Sequence, residues 1–242
     1  MKLGLIGYGR TGKIVAEAAQ KRGHEIVSII DLNRPDTFSA KVDCYIDFST
    51  AEAVHKNIIA CCNIGVPIVI GTTGWLNDLS KFEQIFVETG NKGIWSGNFS
   101  VGVNLFWQIV AEAAAKFSKF SNDYDVSVHE IHHKNKIDSP SGTALRTAEV
   151  ILENFSTKNS TITETLQRKI LPNELHVSSA RYGEVVGTHT TVFDSLFDSV
   201  EITHTAKTRE GFALGAVLAA EMVMDLKPGF YKFSNIFEQL YK

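Results

Sequence analysis

Leu3-Gly4-Leu5-Ile6-Gly7-Tyr8-Gly9-Arg10-Thr11-Gly12 is a short apolar run followed directly by a G-x-G-x-x-G turn. A second strand-like run, Ile26-Val27-Ser28-Ile29-Ile30, ends on Asp31. An acid at about 20 residues from such a turn is where a ribose-binding carboxylate stands in a dinucleotide fold. Each glycine has a task. Gly7 allows the tight turn, Gly9 leaves room for a pyrophosphate, and Gly12 lets the following helix pack close to the sheet. The helix N-terminus then offers unpaired N–H groups and a positive dipole end to the phosphates. Glycines also mark ordinary tight turns. Here the strand before, the helix after and the acid beyond agree on a dinucleotide site.

Working outward, the next hundred residues alternate strand and helix. Helices are predicted over 13–22, 51–63 (with Thr50 as cap) and 75–88, and strands over 25–30, 42–48, 67–71 and 93–96. Pro67-Ile68-Val69-Ile70-Gly71 is unbroken and apolar, as in a parallel strand buried on both faces. This alternation predicts a doubly wound parallel sheet with right-handed crossovers. Two more loops follow predicted strand ends, where open α/β sheets bind ligands: Gly71-Thr72-Thr73-Gly74 and Ser96-Gly97-Asn98-Phe99-Ser100-Val101-Gly102. Their small and hydroxyl residues suit close passage of a nicotinamide ribose, or simply an ordinary strand-to-helix turn.

The pattern then changes. An amphipathic helix is predicted over 104–118, a half-exposed strand over 125–131 and a helix over 141–154. A polar surface loop follows at 156–165. Three strands at 175–182, 184–193 and 198–204, with no helix between them, predict an antiparallel or mixed sheet. An Ala-rich helix is predicted over 211–226. The fold class expected is therefore α/β: an N-terminal Rossmann-type doubly wound parallel sheet plus a smaller α+β domain.

Composition narrows the function. The chain has 242 residues, 44% hydrophobic and 21% charged, with a net charge of −3. That is ordinary for a soluble globular protein of one or two domains. No Lys/Arg run stands out, so there is no nucleic-acid footprint. No apolar stretch reaches the roughly 20 residues of a membrane span. The first strand begins at residue 2, which leaves no room for a targeting peptide and suggests the cytoplasm. Cys44, Cys61 and Cys62 fit no zinc spacing and read as reduced, buried thiols.

The densest polar cluster is His132-His133-Lys134-Asn135-Lys136-Ile137-Asp138-Ser139-Pro140-Ser141-Gly142-Thr143, at the end of a predicted strand. It brings together proton donors that work near neutral pH and compact positive charge. Ser139-Pro140 is expected to open a helix, with Ser as cap and Pro in the first turn. The N–H groups of Ser141, Gly142 and Thr143 would then face a carboxylate. The plainer alternative is an exposed polar loop capping a helix. A metal is not expected, because adjacent histidines point apart on a strand and Glu130 and Asp138 form no recognised zinc pattern. Coupled to a dinucleotide site, the cluster favours acid-assisted reduction of a small anionic substrate.

These segments together resemble the 4-hydroxy-tetrahydrodipicolinate reductase (dihydrodipicolinate reductase) family, nearly end to end. The resemblance is carried by Gly9-Arg10-Thr11-Gly12, Ile46-Asp47-Phe48-Ser49, Gly71-Thr72-Thr73-Gly74 and Asn98-Phe99-Ser100-Val101-Gly102-Val103-Asn104. It continues through His132-His133-x-x-Lys136-x-Asp138-x-Pro140-Ser141-Gly142-Thr143-Ala144 and Arg181-x-Gly183-x-x-Val186-Gly187-x-His189. It ends with His204-x-Ala206-x-x-Arg209-x-x-Phe212-Ala213-x-Gly215-Ala216.

The resemblance implies an NAD(P)H-dependent reductase of the diaminopimelate route to lysine. It implies His132 and Lys136 as proton-transferring residues, and His133, Ser141, Gly142 and Thr143 as the binding site of a small dicarboxylate. It implies cofactor contacts from Gly7, Tyr8, Gly9, Arg10, Thr11, Gly12, Asp31, Gly71, Thr72, Thr73, Ser96, Gly97, Asn98 and Phe99. It also implies a homotetramer. The dinucleotide domain would span 1–103, rejoined by C-terminal helices at about 213–242. A substrate-binding and oligomerisation domain would span 104–212. The phosphate loop is one residue shorter than in many members, which often carry Met where Thr11 stands. Asp31 favours two free ribose hydroxyls, whereas Arg34 could meet a 2′-phosphate, so both NADH and NADPH stay open. The alternatives are another two-domain dehydrogenase, such as one acting on an amino-acid semialdehyde, and a non-catalytic dinucleotide sensor. Neither needs the His-His-x-x-Lys loop joined to Pro-Ser-Gly-Thr.

Overall fold

The computed structural model describes residues 1–32, 34–35, 37–76, 79–237 and 239, with 34–35 described in backbone alone. The chain divides into two compact units, Met1–Val101 with Arg209–Lys242, and Gly102–Thr208.

The first unit opens with β1 (Lys2–Ile6), α1 (Arg10–Lys21), β2 (Glu25–Asp31), β3 (Arg34–Pro35), β4 (Cys44–Asp47), α2 (Ala51–Ile64), β5 (Ile68–Ile70), α3 (Leu79–Thr89) and β6 (Lys92–Trp95). The chain continues through α4 (Val101–Phe117), β7 (Asp125–His132), α5 (Gly142–Asn154), β8 (Ser160–Ile162), β9 (Glu174–Arg181), β10 (Gly187–Asp194) and β11 (Ser199–Ala206). It closes on α6 (Glu210–Met222), β12 (Gly229–Lys232) and α7 (Phe233–Ile236).

The sheet of the first unit has the order β12-β6-β5-β4-β1-β2-β3. All its pairs are parallel except β2–β3. Every residue of β4 and β5 is buried, as an apolar strand covered on both faces must be. On one face, Leu3, Leu5 and Ile46 pack with Val15 and Ala19 of α1 and with Ala213, Ala216 and Ala220 of α6. On the other, Tyr45, Ile68 and Ile70 pack with Val54 and Ile58 of α2 and with Phe82 and Phe86 of α3. Strand order reverses between β1 and β4, so the crevice that binds ligands in such sheets opens at the ends of these two strands.

The second unit holds a five-stranded sheet of order β11-β10-β7-β9-β8. It is mixed: β10 is antiparallel to both β7 and β11, whereas β9 runs parallel to β7 and β8. One face is covered by Phe106, Val110 and Ala114 of α4 and by Ala144, Ala148 and Ile151 of α5, over Val126, Val128, Leu175, Val177 and Phe193.

Several local expectations are corrected. Helix α3 starts at Leu79, not at 75. Trp75 precedes it, buried, with its indole N–H donating to the Thr72 carbonyl at 2.7 Å. Residues 77 and 78 lie outside the described residues. Thr50 stands at the cap of α2, yet its side chain bonds no helix N–H. The segment 156–165 contains β8, a strand too short and polar to show a pattern. The strands β9 and β10 are consecutive but not paired, because β7 lies between them. The C-terminal stretch expected to be helical contains β12, which adds a parallel edge strand beside β6.

Candidate cofactor and substrate sites

The first site is built almost entirely of backbone. Gly7 has φ +84°, and its N–H donates to the Ile30 carbonyl at 2.8 Å. A β-carbon there would strike the Phe48 backbone where β4 ends, so only glycine fits this turn. A β-carbon on Gly9 would meet nothing within 4 Å. Helix α1 starts after Gly9 with no side-chain cap and no acid in its first turn. Its leading N–H groups are therefore left for a ligand, and open space with an uncapped twelve-residue helix fits a pyrophosphate. Asp31 closes the loop from the side. Its Oδ2 accepts the Tyr8 N–H at 2.8 Å, and its Oδ1 accepts the Leu32 N–H at 2.6 Å. The Arg34 side chain lies outside the described residues.

In the two accessory loops the hydroxyls bond within the protein. The Thr72 hydroxyl turns inward and donates to Asp47 Oδ1 at 3.0 Å. Asp47 is fully buried, and it also accepts from the Ser49 N–H and the Asn57 amide, both at 2.8 Å. Burial pushes this carboxyl above its ordinary range, against those bonds. Thr73 is exposed. In the other loop, the Ser96 hydroxyl donates to the Asn98 carbonyl at 2.8 Å, and Asn98 Oδ1 accepts the Ser100 N–H at 2.9 Å. Phe99 is a core residue against Phe233. These side chains build the loops, and what they leave open to a ligand is backbone, above all at exposed Gly97.

The second site grows from the alternation of β7. Val126, Val128, Glu130 and His132 share its buried face. The first two pack in the core, so the last two carry polar groups inward. Register then assembles a row across four strands. Glu130 lies opposite His189 of β10 and Ser179 of β9, and His189 lies opposite His204 of β11. Glu130 is completely buried. Its Oε1 accepts from Arg181 at 2.6 Å, the Ser179 hydroxyl at 2.8 Å and the Ser141 N–H at 2.9 Å. Its Oε2 faces His132 Nε2 at 3.4 Å and His189 Nε2 at 3.5 Å. Burial opposes charge on Glu130, but its contacts with His132, His189, Ser141 and Arg181 prevail and hold it well below the usual carboxylate range. Burial lowers the His189 imidazole below its ordinary value, against the pull of Glu130.

Around this row stand the residues singled out in the sequence. His132 is buried, with Nδ1 2.9 Å from the Val186 carbonyl. A β-carbon on Gly187 would come within 2.7 Å of the His132 ring, so the glycine keeps the imidazole's place clear. His133 is half-buried, and its Nδ1 is buried without a hydrogen-bond partner. Lys136 Nζ reaches both oxygens of Asp138 at 2.8 Å, and this bond lowers the Asp138 carboxyl. The helix start is corrected: Ser141, not Ser139, is the cap of α5, its hydroxyl accepting the Ala144 N–H at 3.2 Å. The Ser141 N–H is taken by Glu130, whereas exposed Gly142 has open space where a β-carbon would lie.

Glu130, Arg181 and His189 were missed as site residues. The signal was present for Glu130, a carboxylate continuing the apolar face of an alternating strand. The histidine and arginine come from distant strands and meet it only through register.

A doubly wound sheet with a glycine-rich first turn and an acid closing its second strand defines the class: a dinucleotide-dependent oxidoreductase with a second, histidine-rich unit. Family models described as dihydrodipicolinate reductase, N-terminus, and dihydrodipicolinate reductase, C-terminus, match residues 1–99 and 102–237. The chain belongs to the dihydrodipicolinate reductase family. It is 40% identical to the 4-hydroxy-tetrahydrodipicolinate reductase of Christiangramia forsetii over 100% of both chains. It is 37% identical to that of Archaeoglobus fulgidus, over 95% of this chain and 96% of the relative. The dipicolinate-bound dihydrodipicolinate reductase of Paenisporosarcina sp. TG-14 shares the fold. Its TM-score is 0.79 at 22% identity, covering 98% of this chain and 99% of that one.

Proposed function

We propose that this chain catalyses the NAD(P)H-dependent reduction of 4-hydroxy-tetrahydrodipicolinate to tetrahydrodipicolinate, in the diaminopimelate route to lysine. The observation that carries the reading is one continuous loop, running from a buried imidazole at the end of β7, through Lys136, to the open start of α5 at Gly142. It lies in a chain that matches reductases of that name from end to end. The reaction adds a hydride and a proton and loses water. The bound nicotinamide supplies the hydride.

The chain's own residues do the rest. Gly9, Arg10, Thr11 and Gly12 receive the pyrophosphate on main-chain N–H groups, Gly7 and Tyr8 shape the turn that brings them to it, and Asp31 takes the adenine ribose. The backbone of Gly71–Thr73 and Ser96–Phe99 borders the nicotinamide end. Gly142 and Thr143 at the start of α5 hold one substrate carboxylate, with Ser141 fixing that start. His133, half-buried in the same loop, is the further substrate contact. His132 delivers the proton with Lys136, whose ammonium exchanges Asp138 for the substrate. The protein works as a homotetramer in the cytoplasm. Among the described residues no helix is long and apolar enough to cross a membrane.

The test is oxidation of NADH and of NADPH in separate assays, with substrate generated in situ by the preceding synthase. Turnover with at least one cofactor is expected. No oxidation of either above the synthase-free blank overturns the reading.

A further inference from the structure

Asp47 ends β4, and in register it lies between Ile6 of β1 and Ile70 of β5. Both isoleucines are buried in the apolar core under α2. An apolar residue between them would serve packing alone, because a buried carboxylate costs free energy that a hydrophobic replacement does not. The chain instead buries Asp47 completely and surrounds it with neutral donors. Its Oδ1 accepts the Ser49 N–H at 2.8 Å and the Thr72 hydroxyl at 3.0 Å, and its Oδ2 accepts the Asn57 amide at 2.8 Å. The Asn57 amide also reaches the Ser49 hydroxyl at 3.2 Å. One carboxyl thus ties together the loop after β4, the loop after β5 and helix α2. The loop after β5 is held at two further points. The Gly71 N–H donates to the Asp47 carbonyl at 2.9 Å, and the Thr72 carbonyl accepts the Trp75 indole N–H at 2.7 Å.

We propose that Asp47 is a positioning residue for the nicotinamide end of the bound dinucleotide, acting through the Thr72 hydroxyl. The inference rests on the dinucleotide reading of the first unit. There Asp31, at the end of β2, marks the adenine side, so the other half of the cofactor crosses the ends of β4 and β5. What the loop after β5 offers it is main chain, which has no rotamer with which to adjust. Its place has to be set from behind. A carboxylate sets it more firmly than a neutral acceptor, because hydrogen bonds to a charged oxygen are shorter and about twice as strong. The Phe48 ring limits the same loop from the side, since a β-carbon on Gly71 would strike it. Phe48 is itself fixed to β1, its N–H donating to the Ile6 carbonyl at 2.8 Å. A loop held in place before the cofactor arrives spares the cost of ordering it on binding. Hydride transfer gains as well, because a misplacement of about 1 Å can cost a large part of the rate. Asp47 therefore serves alignment at some expense to packing.

The test compares the binding of NADH with that of ADP, which lacks the nicotinamide and its ribose, by calorimetry on the full chain. Thr72→Val keeps the shape of the side chain and removes the tie. NADH is expected to bind about tenfold more weakly, the worth of a hydrogen bond to a charged group, with ADP affinity within about twofold. Turnover at saturating NADH should fall about tenfold as well, as a loosely held nicotinamide is misaligned. Thr72→Ser returns the hydroxyl and should recover NADH affinity to within about threefold of wild type. Asp47→Asn keeps an acceptor oxygen and loses the charge, and NADH should bind it about fivefold more weakly. In that background Thr72→Val should cost about threefold or less, because both changes loosen one tie. A merely structural role would lower the fraction of protein that binds, for both ligands alike, and leave the affinities and their ratio in place. If Thr72→Val fails to fold, Asp47→Asn carries the same comparison of NADH with ADP. Equal effects on the two ligands in a folded variant, or fully additive losses in the double variant, overturn the proposal. A wild-type protein that binds neither ligand overturns the dinucleotide reading beneath it.

Discussion

The loop after β1 and the loop after β7 both leave the C-terminal end of a strand and lead into a helix, yet they are made of different material. The first presents main-chain N–H groups around Gly9, with a single carboxylate, Asp31, tied to the loop it borders. The second gathers His132, His189 and Arg181 around the buried oxygen pair of Glu130, with Arg181 also held by the Asp138 carbonyl and the Asp138 carboxylate paired to Lys136. A ligand of fixed charge needs geometry and no titration, and backbone dipoles supply that at any pH. A reaction that consumes a proton needs groups whose charge can change, and burial sets where they change.

The comparison breaks most readily at Gly142. Gly142→Val fills space that the fold leaves open, so folding should be unaffected while the carboxylate site is obstructed. The substrate KM is expected to rise about tenfold or more, or about 1.4 kcal/mol, with NADH affinity within about twofold. Calorimetry with pyridine-2,6-dicarboxylate checks this, and equal binding by variant and wild type would place the substrate elsewhere.

A smaller effect is expected at the backbone site. Asp31→Asn retains an oxygen for the Tyr8 N–H but removes the charge. NADH should bind about tenfold more weakly, the worth of a charged hydrogen bond, whereas NADPH should bind as well or better. Parallel losses for both cofactors, read by fluorescence titration, would remove the ribose role.

The smallest effect sharpens the contrast in proton handling. His189 is held neutral by burial in the fold but takes a proton freely once unfolded. Its contribution to stability is complete above its ordinary value near 6.5 and is lost as pH falls through that value towards the lowered folded one. The slope is at most about 1.4 kcal/mol per pH unit for one proton. Urea melts of wild type at pH 5 to 8 should show it, and His189→Gln should flatten it. Identical slopes in both proteins would mean that the imidazole titrates alike folded and unfolded.

The first loop was legible in the sequence because its chemistry is local. Gly7 to Gly12 is one turn, and Asp31 is the end of the adjacent strand. The stretch from His132 to Thr143 was legible for the same reason, apart from its helix start. There Ser141 displaces Ser139 as cap, because Glu130 claims the Ser141 N–H. What could not be read was whatever depends on pairing between distant strands. Nothing near Glu130 in the chain announces that His189 will lie opposite it, and nothing in 175–193 says that β9 will run parallel to β7. The internal bonds of the Thr72 and Ser96 hydroxyls, to Asp47 and to the Asn98 carbonyl, were not legible either, since they too depend on how the loops fold back on the protein.

Strand β12 has a consequence for how this molecule is made. The sheet begun at Lys2 is completed only at Gly229–Lys232, and Phe233 and Phe237 close the core that Leu3 and Leu5 open. The intervening unit, Gly102–Thr208, is continuous in the chain. On a ribosome it can therefore finish folding while its host is still missing an edge strand and the helix α6. During that interval β6 presents an unpaired parallel edge, and the α1 face of the sheet lacks its Ala-rich cover. The first segment synthesised is thus the last to be sealed, so this architecture places its period of greatest exposure to aggregation late in synthesis.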